Sequence, residues 1–197
     1  MKSGQWQKGR GFLSVAAHSP LTTMTDAFRR LGLPRRFALD ASELERAYLA
    51  HSRAVHPDYH LTGASADLDA SLELSAAVNE AYNTLRDPFI RAEHLLALEG
   101  GPSASEHKQM PPAFLAEMLD AREEIERLRG KPIESARLAR QFAERFDALM
   151  GDVGGLFQKL EGLPPDDATR ANLRLRVRGL LNAAKYVRGL IRDLDTD

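Results

Sequence analysis

The chain has 197 residues, of which 43% are hydrophobic, and its 27 Lys and Arg residues nearly balance 28 Asp and Glu residues. It is therefore long enough to bury a core, and its charge gives no global indication of binding to nucleic acid or an acidic membrane. The absence of cysteine excludes disulfides, thiolate catalysis and metal or cluster ligation by its own thiolates, and it favours a reducing compartment. No apolar run approaches the ~20 residues needed to cross a bilayer.

Residues 1–23 differ from the rest of the chain because they contain basic side chains but no acidic one. The apolar stretch Phe12–Ala17 is too short for a signal peptide, and arginine is too scarce for a typical mitochondrial transit peptide. We expect a disordered tail, or an upstream start to a chain that properly begins at Met24. A targeting segment is the alternative.

The remaining sequence shows helical periodicity and no strand-like alternation, which predicts an all-α protein. A short helix is predicted over Thr25–Leu31. A second is predicted over Ala41–Val55, after Asp40, which has the capping-box spacing to Glu43. After a loop, a longer helix is predicted to end at Leu85. Its predicted core face consists of Leu72, Val78, Ala81, Tyr82 and Leu85.

Asp87-Pro88 predicts a break before a further helix that ends at Gly100-Gly101-Pro102. We expect residues 24–101 to form one unit, residues 102–111 a polar linker, and residues 112–197 a three-helix bundle.

The bundle is predicted from three apolar seams. The first has Phe114, Met118, Ala121, Ile125 and Leu128; the second has Leu138, Phe142, Phe146 and Leu149; the third has Leu173, Val177, Leu180, Ala184, Val187, Ile191 and Leu194. Glycines at 151, 154 and 155 predict a kink or a frayed stretch in the second helix, because glycine destabilises a helix interior.

The tripeptide His56-Pro57-Asp58 follows the second helix directly. Proline fixes its own φ and disfavours a helical conformation of the preceding residue, so the helix must end here and the tripeptide is stiff. A metal site that pairs His56 with His60 is disfavoured because Pro57 breaks the helix between them. A catalytic pair of His56 and Asp58 lacks a nearby nucleophile. A rigid unit of this kind suits recognition by another protein.

Two groups of outward-facing residues remain after the seams are assigned, and the first is basic. Arg46 and Arg53 share one face of the second helix, with Arg35 and Arg36 just before it, and this face is either simply solvated or binds a partner.

The outer face of the first bundle helix carries two leucines among polar residues, and its members are Leu115, Ala116, Leu119, Asp120, Glu123 and Arg127. On the last helix Tyr186 also points away from the seam, near Leu175 and Asn182. Such residues are either ordinary exposed side chains or a docking patch with an apolar centre and a polar rim.

These elements resemble a J-domain followed by a helical bundle, and more narrowly the HscB-type co-chaperones of iron–sulfur cluster assembly. The resemblance is close from Met24 to about Leu128 and looser beyond. The residues that carry it are Asp26-Ala27-Phe28, Leu31-Gly32-Leu33-Pro34, Phe37-Ala38-Leu39-Asp40, His56-Pro57-Asp58, residues 78–88, Arg91-Ala92-Glu93-His94-Leu95-Leu96, Ala113-Phe114-Leu115 and Arg122-Glu123-Glu124. The stretch after Leu85, above all Arg-Ala-Glu-x-Leu-Leu, distinguishes this family from other J-proteins.

The resemblance implies a co-chaperone that is not an enzyme and needs no cofactor or metal. It would stimulate the ATPase of a dedicated Hsp70-class chaperone (HscA-like) through Arg46, Arg53, His56, Pro57 and Asp58. It would deliver an iron–sulfur scaffold protein (IscU-like) through the family's binding positions, which fall on Leu115, Ala116, Leu119, Asp120, Glu123, Arg127 and Tyr186. No nucleic-acid or membrane partner is implied.

The sequence departs from the family pattern at several of these positions. Tyr59-His60 replaces the common Lys-Phe, Ala116 is shorter than the usual methionine, and Arg127 has the opposite sign to the usual acid. These changes predict either a scaffold with a correspondingly different surface or a lower affinity.

Two alternatives remain at the sequence level: a J-domain co-chaperone for another client, and a helical adaptor that has lost J-activity. The expected location is the bacterial cytoplasm, with the mitochondrial matrix as the alternative.

Overall fold

The computed structural model describes residues 26–55 and 65–195, and all regular structure in these ranges is helical, which confirms the all-α class. The helices are α1 (Ala27–Arg30), α2 (Ala41–Ala54), α3 (Ser65–Arg86), α4 (Pro88–Leu98), α5 (Pro112–Arg127), α6 (Pro132–Glu161) and α7 (Thr169–Asp195). None of these helices is long and apolar enough to span a membrane. The tripeptide His56-Pro57-Asp58 and residues 1–25 lie outside the described ranges, and the division into units stays a prediction.

The predicted cap at Asp40 is confirmed, and two further aspartates cap helices in the same way. The side chains of Asp26, Asp40 and Asp87 each accept hydrogen bonds from backbone N–H groups in the first turn of α1, α2 and α4. The reciprocal half of the capping box at α2 is replaced, because the Glu43 carboxylate accepts a hydrogen bond from Arg36 at 2.7 Å instead. Short polar side chains therefore fix where these helices begin.

One hydrophobic core extends from α1–α4 into α6 and α7, so the two halves of the chain share buried surface. Phe28, Leu85 and Leu96 from the first half and Phe157 and Val177 from the second are all less than 2% exposed. A smaller core packs α5 onto α6 and α7, and its buried members are Met118, Ile125, Phe142, Val187, Leu190 and Leu194. The pair formed by α6 and α7 is thus the part of the fold against which the other helices are arranged.

A buried ion pair joins α4 to α7. Arg178, whose side chain is 1% exposed, binds both carboxylate oxygens of Glu93 through its two Nη atoms, with a distance of 2.6 Å from Nη1 to Oε2. Its Nε atom donates to Oδ1 of Asn182 at 3.0 Å. A buried guanidinium left without its counter-charge is strongly destabilising, so Glu93 must stay against α7 in the folded protein.

His94, the next residue of α4, joins α4 to α1. The Nε2 atom of buried His94 accepts a hydrogen bond from the backbone N–H of Ala27 at 3.1 Å, and its ring stacks on Phe28. Burial lowers the pKa of His94; the nearby Asp26 carboxylate opposes this shift and Arg35 adds to it. The neutral imidazole is the form that accepts a hydrogen bond, so the environment maintains the contact between α4 and α1.

The predicted frayed stretch in α6 is wrong, because α6 runs as one helix through all three glycines. A Cβ atom on Gly154 would lie only 3.0 Å from Cε1 of Phe37. Phe37 stacks on Phe157 with a centroid distance of 5.7 Å, and the guanidinium of Arg91 lies over its ring at 5.2 Å. Gly154 therefore allows an aromatic ring from the first half of the chain to pack directly on α6.

Periodicity also misplaced three other residues. Leu72 was predicted to face the core but is 51% exposed. Asn182 was predicted on the outer face with Tyr186, yet it is 8% exposed and its Nδ2 donates to the carbonyl of His107 at 2.8 Å. Leu181, rather than its half-buried neighbour Leu180, is the fully buried leucine of the α7 seam. Asn182 can be buried because its polar atoms have partners, which a count of apolar spacing does not anticipate.

We expect Glu93→Ala to lower the free energy of unfolding by about 3 kcal/mol, because it leaves Arg178 buried without a counter-charge. Glu117→Ala is the matched control. It removes a carboxylate that Arg145 also binds through both oxygens, but at an exposed site. The expected loss in the free energy of unfolding is therefore about 1 kcal/mol or less. Urea denaturation at neutral pH measures both losses. Equal losses in the two variants would contradict a special role for the buried pair.

Candidate partner-binding surfaces

The first candidate surface, which we call the α2 face, consists of Arg46, Leu49 and Arg53. Their spacing of three and four residues puts them on one side of α2. All three are exposed, Leu49 by 40%, and neither arginine has an ion pair within residues 26–55 and 65–195. The α2 face thus presents two cations with an apolar side chain between them. Sequence reasoning missed Leu49, although its spacing from the two arginines was a sufficient signal.

Arg35 and Arg36 do not extend this face freely, because each is engaged in an ion pair. Arg35 binds Asp26 and Arg36 binds Glu43, both at 2.7 Å. Burial alone would raise the pKa of Asp26, but the hydrogen bond from Arg35, together with backbone N–H groups of α1, outweighs it and lowers this pKa. These two arginines therefore stabilise the connection between α1 and α2.

The α2 face is held in place by a pair of tyrosines between α2 and α3. The rings of Tyr48 and Tyr82 stack with centroids 4.3 Å apart. Tyr48 donates its hydroxyl hydrogen to Asn79 at 2.9 Å, and Tyr82 donates to Glu45 at 2.7 Å. The hydrogen bond to Glu45 raises the pKa of Tyr82. Each helix thus supplies both a ring and a polar partner to the same contact.

His56, Pro57 and Asp58 begin one residue after the C-cap position of α2, but lie outside the described ranges. The C-cap residue itself is fixed, since the carbonyl of Val55 accepts a hydrogen bond from Oγ of buried Ser71 on α3 at 2.7 Å. The last described residue before the tripeptide is therefore held in place by α3.

The second candidate surface, which we call the α5 patch, lies on the outer side of α5 with one residue from α7. Its members are Leu115, Ala116, Leu119, Asp120, Glu123, Arg127 and Tyr186, and all of them are exposed. The exposed fractions of the large apolar members are 44% for Leu115, 60% for Leu119 and 42% for Tyr186. The patch therefore combines apolar side chains with carboxylates, on the side of α5 opposite buried Met118 and Ile125.

Contacts beneath the patch connect its parts. The ring of Tyr186 packs edge-on against Phe114 with a centroid distance of 6.0 Å, which brings α7 beside the start of α5. Arg145 of α6 lies over the Phe114 ring at 5.7 Å and binds both carboxylate oxygens of Glu117. The hydrogen bond from Arg145 lowers the pKa of Glu117. All three bundle helices therefore meet under the patch.

The charge of Arg127, which departs from the family pattern, is partly compensated. Its guanidinium lies 2.7 Å from the carboxylate of Glu124, one turn earlier on α5. Asp120 and Glu123 form no ion pair within residues 26–55 and 65–195. The carboxylates of the patch thus remain available to a partner.

No cluster of three or more histidine or acidic side chains suited to a metal ion occurs within residues 26–55 and 65–195. His56 and His60, which the sequence analysis considers as metal ligands, lie outside these ranges.

Two solved structures share this arrangement of helices. The chaperone HscB from Vibrio cholerae has a TM-score of 0.71 at 25% identity, over 87% of this chain and 96% of that one. The human co-chaperone HscB has a TM-score of 0.73 at 21% identity, over 98% of this chain and 94% of that one. The fold is that of the all-helical co-chaperones.

Comparison with related sequences identifies the family within this class of helical proteins. The co-chaperone HscB homologue of Chromobacterium violaceum is 38% identical over 137 residues, which cover 69% of this chain and 74% of that protein. The homologue of Bordetella pertussis is 40% identical over 57% of this chain and 67% of that protein. The family described as the HSCB C-terminal oligomerisation domain matches residues 110–177. The chain belongs to the HscB family of co-chaperones.

Proposed function

We propose that this protein stimulates the ATPase of a dedicated, HscA-like Hsp70 chaperone and delivers an IscU-like iron–sulfur scaffold protein to it, so that the cluster is transferred to recipient proteins. The observation that carries the proposal is the presence of two separate exposed surfaces, the α2 face and the α5 patch, on helices joined through one hydrophobic core. A protein that brings a client to a chaperone needs one surface for each.

The α2 face supports the chaperone contact. Arg46 and Arg53 would meet acidic side chains of the ATPase, and electrostatic complementarity of this kind speeds encounter and fixes register. Leu49 would supply the apolar contact between them. His56-Pro57-Asp58, which the proline predicts to be stiff, follows the same helix in sequence and would hold the ATPase in its hydrolysis-competent conformation.

The α5 patch supports the scaffold contact. Leu115, Leu119 and Tyr186 would form the apolar centre, and Asp120 and Glu123 the polar rim that sets orientation. Ala116 and Arg127 lie within the same outer face and would adjust the fit to the particular scaffold.

The chain would act by shifting populations of its partner rather than by catalysing a reaction. A ligand shifts a conformational equilibrium only by its differential affinity for the two states, so this protein must bind the hydrolysis-competent Hsp70 more tightly than the other state. The bacterial relatives support a site of action in the bacterial cytoplasm.

We expect His56→Gln to reduce stimulation of the Hsp70 ATPase by about tenfold or more, because loss of a central contact worth 1.4 kcal/mol is a factor of ten. Steady-state ATP hydrolysis measures this, with and without scaffold. His107→Gln, at a histidine of the segment before α5, is the control and should stimulate normally. Full stimulation by the His56→Gln variant would mean that the protein is not a J-domain co-chaperone.

We expect Leu115→Ala combined with Leu119→Ala to weaken scaffold binding by about ten- to a hundredfold, since two apolar anchors are truncated. Isothermal titration with the scaffold protein measures this. The control combines Leu72→Ala with Leu74→Ala, which removes two leucines of α3 that are exposed by 51% and 50%.

The titration distinguishes a co-chaperone for the iron–sulfur scaffold from a co-chaperone for another client. Wild-type binding retained by the Leu115→Ala, Leu119→Ala variant, or lost equally in the control, would rule out the α5 patch as the scaffold site. An unaltered ATPase response to His56→Gln and an unaltered scaffold affinity are independent results, so the two halves of the proposal can fail separately.

A further inference from the structure

A groove of 960 Å³ lies beside the α5 patch, between the segment before α5 and helices α4, α5 and α7. Five basic residues line it, and Asp195 is the acidic one among its described lining residues. The basic residues are Lys108, Arg122, Lys185, Arg188 and Arg192.

Three of these cations lack an ion-pair partner among the residues that the structure describes. Arg188 lies 3.1 Å from Asp87, and Arg192 lies 3.6 Å from Asp193. In contrast, Lys108, Arg122 and Lys185 form no ion pair within the described ranges, and each belongs to a different element of the chain. Positive charge therefore converges on the groove from three directions, although the protein as a whole is nearly neutral.

The lining combines exposed cations with half-buried apolar side chains. Lys108, Arg122 and Lys185 are exposed, whereas Phe89 and Ile191 are half-buried. Buried Asn182, which holds the segment before α5 through the carbonyl of His107, also lines the groove. An extended segment with alternating acidic and apolar side chains would satisfy both kinds of surface. A single small anion would contact only part of it.

The groove is continuous with the α5 patch at two points. Arg122 follows Leu115 and Leu119 at intervals of four and three residues, so it continues their stripe on α5. Tyr186 belongs to the patch and also lines the groove. A protein that covers the two leucines and Tyr186 therefore reaches the mouth of the groove.

From this charge and continuity, we infer that the groove binds an acidic, extended segment of the same client protein that covers the α5 patch. The inference rests on the proposed scaffold-binding function and deepens it. Among the described residues, Asp120 and Glu123 of the patch have no ion-pair partner, and neither do Lys108, Arg122 and Lys185 of the groove. This reversal of sign along one continuous surface would orient the client in a single direction.

The test is the association rate of the full-length protein with an IscU-like scaffold, measured by stopped flow at low and high salt. Arg122→Glu combined with Lys185→Glu reverses two of the groove's charges. The control combines Arg137→Glu with Arg140→Glu, two exposed arginines of α6 that do not line the groove. Sedimentation of each variant without scaffold reports self-association.

We expect the groove variant to associate about tenfold more slowly than wild type at ~20 mM salt, because charge steers encounter at long range. The rates should converge at ~0.5 M salt, where the Debye length is only a few ångströms. The control variant should differ from wild type by less than about twofold at both salt concentrations, since its charges lie away from the groove.

Equal rates for the groove variant and wild type at low salt would overturn the inference, and so would a defect that persists undiminished at high salt. Self-association of the wild type that the groove charges abolish would assign the groove to a second copy of this chain instead. Absence of any binding between wild type and scaffold would contradict the proposed function itself, which is a distinguishable result.

Discussion

The fold depends on one electrostatic constraint, the burial of the Arg178 guanidinium between α4 and α7. A charge at 1% exposure is tolerated only where hydrogen-bonding and charged partners surround it, and Glu93 and Asn182 supply them. Because Asn182 also binds the carbonyl of His107, the same cluster fixes the segment that leads into α5. One buried side chain thus connects the first half of the chain, the segment before α5 and the longest packed pair of helices.

Two further arginines of α7 also bind α4, and the three arginines lie one helical turn apart along α7. Arg170 and Arg174 both reach Glu99 at the end of α4, the first binding its carboxylate and the second its backbone carbonyl. Cations at the C-terminal end of a helix satisfy carbonyls that lack partners within the helix and favour the negative end of its dipole. The result is that α4 lies along α7 with a defined direction, and the α2 face and the α5 patch take defined positions on one body.

The sequence predicted the helical class and the helix starts at Asp40 and Asp87, because capping and proline signals are local. It did not predict why residues 91–96 matter, since the partners of Glu93 and His94 lie 85 and 67 positions away. Apolar spacing likewise missed the burial of Arg178. The outward orientation of Leu115 and Leu119 followed from the helical period alone. The basic groove beside them combines residues from four parts of the chain, so the sequence of no single helix could predict it.

The Glu93–Arg178 contact holds the α2 face and the α5 patch in one arrangement. Because the chain has no cysteine, spin labels attach only at introduced Ala50→Cys in α2 and Ala143→Cys in α6, both at exposed positions. Double electron–electron resonance between them should give one narrow distance distribution, which broadens when Glu93→Ala is added. A distribution that is already broad in the protein with Glu93 intact, and unchanged by its removal, would contradict the account.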